Sequence, residues 1–94
     1  MRSRDDGQEN RERAVAVIRS ALLDRIGRGE IGHDGRVPPF AMAAAAAEAG
    51  IGAGEARYAL GELVAAGALR LAPGRGYYLR SAAALAGQVK AGAR

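Results

Sequence analysis

Apolar residues recur at spacings of three and four from Val15 through Ile18 and Leu22 to Ile26, with Ala14 and Ala21 beside them. That period predicts a helix with one buried stripe. Asn10 suits its N-cap, residues 1–9 read as a flexible lead, and the glycines at 27–29 end it. Glycine and polar residues from Gly27 to Gly35 make a loop. Arg36-Val37-Pro38 is extended, because a residue before proline avoids the α region. Pro39 opens a second helix at a position where its missing N–H costs nothing. The helix reaches about Ala49 and stops at Gly50, a good C′ residue. Its alanines, Ala43–Ala47, are strong helix formers, so this helix is thin and takes its bulk from Phe40 and Met42. Gly50 to Gly54 is a turn with Ile51 as an apolar plug. A third helix covers 54–66, with Ala56, Ala59, Leu60, Leu63 and Val64 inward, and Gly67 ends it.

After Gly67 the period changes. Ala68–Leu71 and Tyr77–Arg80 read as two short strands around Pro73-Gly74-Arg75-Gly76, a hairpin signal. Tyr77 and Tyr78 alternate along one strand, so one faces the core and the other does not. Ser81 suits the cap of a short fourth helix from Ala82 to about Lys90. The expected fold is therefore mainly α with a small β-hairpin. The order of elements is that of a winged helix-turn-helix over residues 10–80, with 81–94 as a short C-terminal helix or tail.

A chain of 94 residues buries only roughly 60–65% of its unfolded surface, enough for one small core. With 49% apolar and 26% charged residues, it matches a globular domain and not a disordered one. The apolar stretch Val37–Ala47 is too short to span a bilayer, and the N-terminus carries charge of both signs with no apolar signal segment. The expectation is a cytoplasmic domain without a membrane role. The chain has no Cys and a single histidine, His33, so neither a thiolate nor a metal constellation is expected. Ser3, Ser20 and Ser81 are scattered on helix ends, and the glycine segments lack the strand and Lys-Ser/Thr pair of a phosphate loop. No cofactor and no enzymatic activity are expected.

Charge is unevenly distributed. Residues 1–35 hold seven Arg against seven acids, residues 36–66 sum to −1, and residues 67–94 hold five basic residues and no acid. An acid-free basic end suits a polyanion, nucleic acid before an acidic membrane surface. Thirteen of the fourteen basic residues are Arg, the cation that forks onto phosphates and base edges. Codon usage in a GC-rich genome enriches Arg, Ala and Gly together and yields the same bias.

Three segments carry a family pattern: ALLDRIGRGEI followed by RVPP, then AGIGAGEARYALGELVAAGAL, then LAPGRGYYLR. In this order and spacing, Ala21–Arg80 resembles the DNA-binding domain of the GntR family of bacterial transcriptional regulators. The resemblance implies a winged helix whose third helix carries Arg57-Tyr58-Ala59-Leu60-Gly61-Glu62-Leu63 and whose wing carries Gly74-Arg75-Gly76-Tyr77-Tyr78. It implies double-stranded DNA as partner and a homodimer on an inverted repeat. The family's usual C-terminal effector domain has no counterpart in the fourteen residues after Arg80, so no small-molecule effector domain is expected. The chain departs from the family by having no Lys or Arg between Arg36 and Arg57. Its turn reads Gly52-Ala53-Gly54-Glu55 where family members often place Ser or Thr with Arg, and Glu55 repels phosphate.

On that resemblance Arg57 touches a phosphate or a guanine edge; as a solvated side chain it would instead pair with Glu62 or Asp24. Arg75, between glycines at the wing tip with Gly76 behind it, reaches a minor groove or phosphate. Arg36, Arg70 and Arg80 anchor phosphates, or in the strands act as charges that discourage edge pairing. The Tyr58 hydroxyl reaches DNA, or the ring packs on the first helix. Arg2, Arg4, Arg11 and Arg13 form either an arm along the duplex or a face compensated by the interleaved acids. The alternatives to a sequence-specific regulator are a protein-interaction module using the alanine face of the second helix, and a non-specific architectural binder using the basic wing alone.

Overall fold

Ala14, Ile18 and Leu22 lie on one line of the first helix, and all three are fully buried. They pack in one cluster with Ala59 and Leu63 of the third helix, the element with which the first helix makes its most extensive contact. The computed structural model describes residues 2–86, with side chains from Glu9 onward. The elements run α1 (Arg2–Gly27), α2 (Pro39–Glu48), α3 (Ala53–Ala65), β1 (Leu69–Ala72) and β2 (Gly76–Leu79). The protein is mainly helical with one small antiparallel sheet. The buried residues form one cluster, and among the described residues none of them is polar or charged.

The first helix begins at Arg2, so the backbone expected as a flexible lead continues the helix and Asn10 lies inside it instead of capping it. The other limits fall within a residue or two of the expected ones. At the end of α2, Gly50 adopts a φ of +75°. Its N–H donates to the Ala47 carbonyl (3.0 Å) and the Ile51 N–H to that of Ala46 (2.8 Å). This is a Schellman motif, which needs a left-handed residue at C′. The motif turns the chain so that Ile51 enters the core and Gly52 starts α3. The same pair of bonds closes α1 at Gly29 and α3 at Gly67. The Arg13 guanidinium donates to the Ala49 carbonyl (2.5 Å), placing a cation at the C-terminus of α2, where the helix dipole favours it. Arg13 thus clasps α1 to α2.

The hairpin pairs Leu69 with Leu79, Arg70 with Tyr78, Leu71 with Tyr77 and Ala72 with Gly76. Its turn is closed by the Arg75 N–H on the Ala72 carbonyl (2.9 Å). Pro73 and Gly74, with a φ of +76° at Gly74, fill the two central positions as a type II turn requires. The extended segment before α2 runs along the other edge of β2. Val37 N–H donates to the Tyr77 carbonyl (2.8 Å), Leu79 N–H to that of Gly35 (2.8 Å), and Arg36 bridges Tyr78. Val37, Leu69 and Leu79 turn into the core with Tyr77 against them. Beyond the hairpin the chain is helical at 82–86, with the Ser81 hydroxyl accepting the Ala84 N–H (2.9 Å) and Leu85 fully buried. The remainder of the expected fourth helix lies outside the described residues.

Candidate nucleic-acid interface

Strand alternation divides the hairpin into two chemistries. The inner face is apolar. On the outer face, residues directly opposite one another share a side, so Arg70, Tyr78 and Arg36 form a row across the strands. The Arg70 guanidinium stands 5.0 Å from the centre of the Tyr78 ring, within the range of a cation–π contact. Arg80, two residues beyond Tyr78, continues the alternation at the base of the hairpin, where its N–H bonds to the Ala68 carbonyl (2.8 Å). Arg75 is exposed at the tip.

Gly76 serves the site by leaving room. Its φ is +118°, and a Cβ there would sit 3.3 Å from Arg36 Nε. The Arg36 guanidinium lies across this backbone, so the glycine allows both the turn and the close approach.

Arg36, Arg57 and Gly76 border one groove, floored by Met42, Ala46, Ala56 and Leu60 between α2, α3 and the hairpin. Ala56 and Leu60 were expected on the inner face of α3. Of the five residues assigned there, Ala59 and Leu63 are buried against α1, while Ala56 and Leu60 turn toward the groove. The third helix thus lies between two layers, and only its α1 side is fully covered.

Tyr58 stands apart from the other predicted site residues. Arg11 of α1 stacks over its ring at 5.2 Å, and the two line a hollow with Glu12, Val15 and Glu62. One residue along a helix turns the side chain by about 100°, so Arg57 and Tyr58 serve different faces. Tyr78 takes the place that Tyr58 was expected to hold beside the arginines. Strand alternation puts Tyr77 and Tyr78 on opposite sides, but one against the core and one exposed is not what results: Tyr77 packs against the core and both rings are half-buried.

The ion pairs among the described residues gather elsewhere. Arg25 bonds to Glu30 at 2.7 Å, Arg28 bonds to Asp24 and to Glu30 (3.2 Å), and His33 approaches Asp34 at 3.6 Å. Its hydrogen bond to Asp24, then the charges of Asp24 and Glu30, raise the pKa of the Arg28 guanidinium above its ordinary value. Among the described residues no such neighbour serves Arg36, Arg57, Arg70, Arg75 or Arg80, nor Arg11, Arg13 and Arg19 of α1. In particular, neither Asp24 nor Glu62 pairs with Arg57. Cations left in water without a carboxylate keep their full charge for an external anion.

Among the described residues no helix is long and apolar enough to cross a membrane, and no three His, Cys, Asp or Glu side chains gather closely enough to hold a metal ion. Comparison with protein-family models, with curated proteins and with solved structures finds no match.

Proposed function

We propose that this chain is a winged helix-turn-helix protein of GntR type that binds double-stranded DNA as a transcriptional regulator. The observation that carries this reading is the placement of five arginines, Arg36, Arg57, Arg70, Arg75 and Arg80, that form no ion pair among the described residues. Four of them lie on or beside a hairpin that follows two helices joined by a tight turn, and the fifth lies on the second of those helices. On this reading α3 enters the major groove with Arg57, and the hairpin is the wing. Arg75 at its tip reaches the minor groove or the adjacent phosphates. Arg36, Arg70 and Arg80 hold phosphates, with Tyr78 fixing the direction of Arg70. Glu55 and the glycines that open α3 provide few base-reading groups, so DNA shape supplies much of the selectivity. Two copies on an inverted repeat compensate for the small number of contacts each one makes.

The test is selection from a random duplex library at near-physiological salt, followed by sequencing. An enriched inverted repeat is the expected outcome, and its half-site spacing gives the dimer geometry. Retention without enrichment reduces the protein to an architectural binder. No retention removes the DNA reading and leaves a protein-interaction module. One observation favours that second reading: Phe40 is 88% exposed at the start of α2, with exposed Ala44 one turn on, both off the groove.

A further inference from the structure

Alanine is too small to close the space between helices that are held apart by their neighbours. Here Ala43, Ala46 and Ala47 of α2 face Ala53 and Ala56 of α3 across a gap, and a groove of about 460 Å³ remains. Its lining is apolar apart from Tyr77 and two charged residues, Arg36 and Arg57. No acidic side chain lines it, and neither arginine has a carboxylate partner among the described residues. Grooves of this size with an apolar floor and a few convergent polar groups are the usual form of small-molecule sites.

We propose that this groove binds a small apolar carboxylate, its body on the alanine floor and its head between Arg36 and Arg57. The chemistry narrows the choice. A neutral apolar molecule covers the floor but leaves two cations without a counter-charge. A phosphodiester chain satisfies the cations but does not fill an apolar floor. A carboxylate with a compact aromatic or aliphatic body meets both requirements, and its charge-assisted bonds to guanidinium are of the stronger kind. Arg36 and Arg57 also belong to the proposed duplex face, so an occupied groove and bound DNA exclude one another. That consequence alone rests on the DNA reading.

The experiment is a titration of the full-length, ¹⁵N-labelled chain with 1-naphthoate and, separately, with uncharged 1-naphthalenemethanol, followed by two-dimensional amide spectra. The expected result is saturable shifts centred on Val37, Ala43, Ala47 and Ala56, with a naphthoate dissociation constant below about 1 mM. The alcohol should bind at least about tenfold more weakly, and Arg57→Gln should cost naphthoate about the same factor. Ala47→Leu fills the groove and should abolish binding, while Ala44→Leu, off the groove on the same helix, should not. If Ala47→Leu fails to fold, Arg57→Gln and the acid-to-alcohol ratio decide. Equal affinity for acid and alcohol, shifts centred elsewhere, or no saturable shift would each overturn the proposal. So would groove amides that shift with protein concentration alone, which would give the groove to a second copy. Displacement of a bound duplex by naphthoate is read separately, so a failure to bind DNA leaves the naphthoate result standing.

Discussion

Removing salt-sensitive contacts one arginine at a time tests whether the unpaired cations meet DNA. Among the described residues Arg36, Arg57, Arg70, Arg75 and Arg80 form no ion pair, whereas Arg25 and Arg28 are held by Asp24 and Glu30. Each phosphate neutralised contributes about −0.9 to the slope of log K against log salt. Contact by all five gives a slope of roughly −4.5 per chain. Between about 50 and 200 mM salt that slope weakens binding roughly 500-fold per chain. Arg75→Ala should lower the slope by about 0.9 and weaken binding on every sequence, because a phosphate contact carries no sequence information. Arg25→Ala should leave the slope unchanged, since its charge is already spent on Glu30. Fluorescence anisotropy of a labelled duplex at five or six salt concentrations measures all three proteins. A wild-type slope near zero would refute the reasoning. So would an Arg75→Ala slope equal to wild type, or an equal fall on removing Arg25.

Other substitutions probe the scaffold. Gly61 lies on the exposed side of α3 with no atom within 4 Å of an added Cβ, so Gly61→Ala should stabilise by about 0.5–1 kcal/mol. Calorimetry should then show a rise in Tm of several degrees. Gly76→Ala should do the opposite, costing roughly 1–3 kcal/mol through a positive φ unsuited to a side chain, and it should displace Arg36 and weaken duplex binding. Leu22 is fully buried between α1 and α3, so Leu22→Ala should cost about 2–5 kcal/mol in urea unfolding; a loss under about 1 kcal/mol would contradict the packing. Tyr58→Ala should reduce stability slightly through loss of its contact with Arg11 while leaving duplex affinity at the wild-type value. A drop matching that of Arg75→Ala would return Tyr58 to the interface.

Whatever depends on neighbours along the chain was legible without the structure. Apolar spacing located α1 and α3, Pro39 and Gly50 bounded α2, and Pro73-Gly74 marked the turn, because these signals act over a few residues of backbone. The candidate arginines could be picked out as charges, but that Arg57 pairs with neither Glu62 nor Asp24 was decided by the fold. Contacts between distant segments decided the rest. Arg13 caps α2 across 36 positions, and Arg36 lies over Gly76 because residues 34–37 join β2. Period alone gave α3 a single inner face. With α1 taking Ala59 and Leu63, the small side chains of α2 left Ala56 and Leu60 beside open space. Helix phase fixes which residues share a side, but only the volumes of the neighbouring side chains determine whether that side closes. The groove between Arg36 and Arg57 exists for that reason.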